Sequence, residues 1–222
     1  MATLQDLEHE EGQQIVLTIY ENFYWMRRHI IEMFARWILR REDVDGKLEL
    51  VEHAWEEARQ MKLLKQAILD LGYDWDKLDH ESYFFEAVRR RYRELMASED
   101  EFEMLVGMNL FSKGTIGYTE LDQLYDHSPE IFTLFPGFRQ EEGKHTEIAK
   151  QRLLQILEKK PELRPNASKI VERYRTVGLE ENRTDPQLAA FVKVLIEHGF
   201  IGEDAWERAM GRLNEVFGDL PI

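Results

Sequence analysis

The sequence predicts an all-α fold, and two observations carry that prediction. Within long stretches of mixed apolar and charged residues, the apolar ones recur every three or four positions, the period of a helix buried along one side. The six prolines and about half of the thirteen glycines among 222 residues fall between these stretches, where chain breaks belong. A chain of this length fits one domain. We read a helical bundle core over residues 13–159 and a helical extension packed on it over residues 160–222.

The first helix is expected from Gln13 to Arg41, because Val16, Ile19, Phe23, Met26, Ile30, Phe34 and Trp37 hold the helical period over an unusually wide apolar arc. A short turn at Asp43 to Gly46 leads into a second helix ending near Asp70, with Leu50, Ala54, Met61, Leu64 and Ile68 on one face. So short a connection makes the two helices antiparallel neighbours. Gly72 to His80 is a turn-rich break, and Tyr83 to Met96 reads as a shorter amphipathic helix. Its run Arg89, Arg90, Arg91 and Arg93 reads as a solvated face. Ser98 with Glu101 has the capping-box spacing and opens a third long helix to about Tyr125. After turns at Ser128-Pro129 and Pro136-Gly137, a fourth long helix runs to about Lys159. Two or three short helices follow, docked by Phe191, Leu195, Trp206, Met210, Leu213 and Phe217. Four long helices without sustained heptads predict an antiparallel four-helix bundle rather than a coiled coil.

Forty-three acidic residues against twenty-nine Lys and Arg give a formal charge of -14, which repels phosphate backbones and argues against nucleic acid as a partner. The absence of cysteine removes disulfides, thiolate metal sites and cysteine nucleophiles together, and suits a reducing compartment. Met1 to Glu11 is acidic where a secretory signal needs a basic start and an apolar run. The most apolar stretch, Ile30 to Leu39, is broken by Glu32 and Arg36 and falls short of the ~20 residues that span a bilayer. We therefore expect a cytoplasmic protein without a membrane partner.

Ionisable groups on core faces are the informative ones, since a buried carboxylate is costly unless paired, protonated or bound to metal. On the fourth long helix Phe138, Glu142, His145, Ala149, Leu153 and Ile156 share one apolar stripe. Glu142 and His145 then point inward on adjacent turns, a spacing at which one cation can take both an oxygen and an imidazole nitrogen. A His–carboxylate contact without metal fits the same residues. On the second helix Glu57 sits on the core stripe, and three residues later stands Gln60, which lacks the nitrogen donor of a histidine. His53, one turn before Glu57 on the flank of that stripe, is the nearest imidazole there. Tyr24, Trp25 and Trp55 read as core residues at helical spacing.

Antiparallel long helices, the Glu142–His145 pair and its imperfect counterpart Glu57-Ala-Arg-Gln60 together resemble the ferritin-like superfamily of carboxylate-bridged di-iron proteins. In that family two helices each supply Glu-x-x-His and two others each supply a carboxylate. Carried across residue by residue, the resemblance implies metal ligation by Glu57, Glu142 and His145, with Gln60 where a histidine belongs. The level facing Glu142 on the third helix falls near Asn109 and Lys113, with no carboxylate. On the first helix the level opposite Glu57 falls between Arg27 and Glu32, of which Arg27 lies within the apolar arc and Glu32 toward the polar side.

Charge counting leaves two readings open. One metal, iron or manganese, could be held by Glu142, His145, Glu57 and a further ligand such as Glu32, Gln60 or His53. The resemblance then implies an oxidoreductase handling oxygen or peroxide, with an apolar or acyl-type small molecule bound along the apolar stripe. Alternatively Lys113 and Arg27 balance Glu57 and Glu142 without metal, and the chain is a scaffold or subunit-interaction module, with a homodimer as one form of that role.

Overall fold

The structure, a computed structural model, describes residues 9–218 and Leu220; the acidic start before His9, read above as no secretory signal, lies outside the described residues. The described residues are 85% helical with no strand among them, so the protein is all-α. None of the described helices is long and apolar enough to cross a membrane. The chain divides into two compact units, one ending at Met96 and one running on from Ala97.

The N-terminal unit is built on α1 (Glu10–Arg40) and α2 (Val44–Asp70). Glu10 and Glu11 in the first turn and Arg40 in the last complement the dipole of α1. Its wide apolar arc is buried along its length, from Ile15 and Val16 through Phe23 and Ile30 to Trp37. At the other side of the three-residue connection, the Asp43 carboxylate accepts a hydrogen bond from the Gly46 N–H at 2.6 Å. This N-cap starts α2 and, as its largest cause, holds the Asp43 carboxyl below its usual range. The helices are antiparallel, because contacts that descend α1 ascend α2: Phe34 packs on His53 with ring centroids 4.4 Å apart, and Arg27 meets Gln60. The core face of α2 carries Leu50, Glu57, Gln60, Leu64 and Ile68, while Ala54 and Met61, expected on it, are half-buried flanks.

Trp55 corrects the sequence reading. It is 64% exposed, because two residues from Glu57 at about 100° each carry it to the far side of α2. The short helix expected from Tyr83 also starts later, as α3 (Glu86–Ala97). Asn22 of α1 donates to the Tyr83 carbonyl at 2.6 Å and accepts from the Phe85 N–H at 3.4 Å, so this stretch hydrogen-bonds to α1 instead of entering the helix. His29 then lies against Phe84 and Tyr92, at 5.2 and 5.7 Å between ring centroids, and docks the start and the middle of α3.

In the C-terminal unit the third long helix differs from expectation in register. Glu103–Gly117 is a π-helix that passes directly into α4 (Tyr118–His127). Thr115 Oγ1 donates to the Leu110 carbonyl five residues back at 2.9 Å, and the Tyr118 N–H reaches the Lys113 carbonyl. At the predicted capping box, Ser98 Oγ accepts from the Asp100 N–H at 3.1 Å, and the Asp100 carboxylate accepts from the Phe102 N–H at 2.8 Å. α5 (Phe135–Lys159) returns antiparallel, with Lys113 beside His145 and Asp122 bonded to Arg139.

The remaining chain forms more helices than the two or three expected: α6 (Arg164–Arg173), a π turn at Tyr174–Gly178, α7 (Leu179–Thr184), α8 (Pro186–Glu197) and α9 (Ala205–Gly218). Of their predicted docking residues, Leu195, Leu213 and Phe217 are buried, Phe191 and Trp206 are half-buried, and Met210 is exposed. α9 is fixed through polar groups as well, since Arg212 donates to the Gly114 carbonyl at 2.9 Å and stacks on the Tyr118 ring at 4.0 Å.

Candidate functional site

Both units carry buried clusters of ionisable side chains, built by different means. In the C-terminal unit the cluster is Lys113, Glu142 and His145, all at most 4% exposed. Lys113 Nζ lies 3.2 Å from Glu142 Oε2 and 3.3 Å from His145 Nδ1. The two α5 residues are one turn apart, with Nδ1 and Oε2 separated by 3.9 Å. The ammonium therefore sits against both groups of the Glu-x-x-His pair.

Backbone proximity sets this geometry. A Cβ on Gly114 would stand 2.4 Å from Thr146 Oγ1 and 2.8 Å from the Asn109 carbonyl, so only glycine lets the π-helix come this close to α5. Gly114 follows Lys113 and Thr146 follows His145, which fixes the two functional side chains beside the point of contact. Thr146 is itself anchored, donating to the Glu142 carbonyl at 2.7 Å. π segments are frequent at functional sites because they shift side chains out of the α register. Here the shift accompanies a buried run from Met104 to Thr115, in which Asn109 Oδ1 and Ser112 Oγ are enclosed without a hydrogen-bond partner.

The electrostatics of the cluster follow from its donors. An ammonium has three donors and no acceptor, so in the contact with Lys113 it is His145 Nδ1 that accepts. For such a donor the ring proton of the imidazole belongs on Nε2. His145 Nδ1 and a carboxylate oxygen of Glu142 both lie against the Lys113 ammonium.

In the N-terminal unit the cluster is Arg27, Glu57 and Gln60, all buried, with His53 half-buried at its edge. Arg27 Nε donates to Gln60 Oε1 at 2.6 Å and lies 3.9 Å from Glu57 Oε2. His53 Nε2 is 3.7 Å from the other Glu57 oxygen, Oε1. The guanidinium also packs over the Phe23 ring at 5.0 Å, a cation–π contact that holds it in place. Gln60, where the sequence resemblance would place a histidine, serves as the acceptor for Arg27.

Glu32 is not part of this cluster. It lies on the exposed side of α1, 3.0 Å from Arg28 one turn away, so its candidacy as a ligand is corrected.

A third buried group escaped the sequence reading. Glu21, fully buried, accepts from His80 Nδ1 at 2.9 and 3.0 Å, while His80 Nε2 is 3.0 Å from the Trp75 carbonyl. Both ring nitrogens face acceptors, an arrangement that the imidazolium satisfies. Burial pushes the Glu21 carboxyl up, and the bond and charge of His80 pull against it. The signal available in the sequence was Glu21 itself, an acid within the apolar arc of α1; nothing in the turn-rich break marked His80 as its partner.

No protein-family model, curated protein or solved structure matches this chain.

Proposed function

We propose that the protein is an all-α scaffold and interaction module of ferritin-like build, in which ion-paired networks rather than metal hold the inward-facing carboxylates. The observation that carries this reading is the position of Lys113 Nζ, 3.2 Å from Glu142 Oε2 and 3.3 Å from His145 Nδ1. A cation at this point neutralises the carboxylate, takes the imidazole lone pair and repels a second cation in a poorly screened interior. Arg27 plays the corresponding part against Glu57 and Gln60. The donor set does not fit a di-iron centre: the histidine of one motif is a glutamine, and each carboxylate faces a basic side chain of its own unit.

Such networks add little net stability over apolar packing. Their contribution is to fix which side chains face inward, the role suited to a module whose surface does the work.

Elemental analysis of the full chain, purified without chelator and then incubated with iron, manganese or zinc salts, tests this reading. The expected content is under about a tenth of an equivalent of any of them, because ligands already held by a cation must release it before they can bind metal. One equivalent retained through desalting would instead overturn it in favour of a metal-binding site, with Glu142 and His145 as the ligands to test next.

A further inference from the structure

We propose that the solvent-facing side of α2 is a docking seam for a second copy of this chain. The inference deepens the interaction role proposed above and rests on it. Val44, Leu48, Val51 and Trp55 follow one another at intervals of four, three and four residues and are 68, 61, 49 and 64% exposed. At about 100° per residue they form one stripe, on the side of α2 opposite Leu50, Glu57 and Leu64. Leu39, 84% exposed, stands at the end of α1 just across the connection. Of the ten large apolar side chains exposed among the described residues, these are five, so the exposure is concentrated rather than scattered. Together they bare on the order of 500 Å² of apolar surface, toward the upper end of what monomers leave uncovered and typical of an interaction site.

The charges beside the stripe select the occupant. Lys47 and Glu52 lie about 70° to either side of it, with opposite signs. Two copies laid with their α2 helices parallel bring Lys47 of each alongside Glu52 of the other, five residues on, twice by symmetry. This is the flank spacing by which paired helices choose partner and direction. An antiparallel pairing in register sets Asp45 of one copy near Glu52 of the other and is repulsive. The seam is thus complementary to itself in one orientation.

Sedimentation equilibrium of the full chain reads this directly. The expected species is a dimer of the 26.5 kDa chain. Leu48→Lys and Trp55→Glu each weaken it at least tenfold, while far-UV circular dichroism and the unfolding midpoint of the monomer hold, because both side chains are exposed. Lys47→Glu also weakens it, and adding Glu52→Lys to the same chain restores it. Only monomer at concentrations up to ~100 μM would overturn the proposal, as would a dimer indifferent to Leu48→Lys. A double charge swap no tighter than Lys47→Glu alone overturns it too. Monomer that floats with anionic vesicles identifies a membrane partner instead and also rejects it. None of these variants touches the buried clusters, so a lost dimer beside an unchanged metal content separates failure of this inference from failure of the scaffold reading.

Discussion

Replacing Lys113 with methionine lowers the stability of the full chain by about 3–5 kcal/mol, the cost of removing one partner from a buried ion pair. Glu142 and Lys113 are both almost fully enclosed, so solvent cannot replace the lost ammonium. The carboxylate must take up a proton or draw in water, and His145 loses the donor at Nδ1. Methionine keeps most of the aliphatic volume of lysine, so little of the loss comes from a cavity. The partner substitution separates the causes. With Glu142→Gln in the same chain, the charge that Lys113 balanced is gone and most of the loss is recovered, giving a coupling of the size seen between residues in direct contact. Urea denaturation of the two single variants and the double variant measures this. A Lys113→Met protein as stable as the parent would show that the ammonium is not paired as described.

Arg27→Met in the N-terminal unit has the second largest effect, about 2–4 kcal/mol on the same scale. Two groups lose a partner at once: Gln60 Oε1, which accepts at 2.6 Å, and Glu57, 3.9 Å away. The longer distance to the carboxylate places the effect below that at Lys113. Adding Glu57→Gln to Arg27→Met removes the carboxylate that lost its partner and recovers part of the loss. Thermal unfolding of the single and double variants is the measurement, and an Arg27→Met protein as stable as the parent would contradict the pairing.

Much of this was legible because helical periodicity sorts residues by face. The arc of α1 placed Arg27 inside and Glu32 toward solvent, and the structure has Arg27 buried and Glu32 bridged to Arg28. The stripe of α5 placed Glu142 and His145 inward together, and both are buried. Lys113 and Asn109 were found by matching levels along helices, even though the π register was not read. Periodicity carries no signal there, because the run from Met104 to Thr115 is buried all round, and a helix apolar on every side has no face to count from.

Trp55 failed for the opposite reason. α2 has apolar residues on two faces, and composition alone does not say which one is covered by its own unit. The late start of α3 and the Glu21–His80 bond depend on side-chain contacts between α1 and residues about 60 positions away. No local pattern encodes contacts of that range. What local reading supplied was the set of ionisable residues that had to be satisfied somewhere.

The account turns on Lys113 Nζ acting as the donor to His145 Nδ1, a contact for which the ring proton belongs on Nε2. Long-range 1H–15N correlation of the ring nitrogens, assigned by comparison with His145→Gln, reads that tautomer directly in the intact chain at neutral pH. The account predicts an Nε2–H ring whose Nδ1 resonance moves when Lys113 is replaced by methionine. A proton on Nδ1, or a doubly protonated ring, would contradict it.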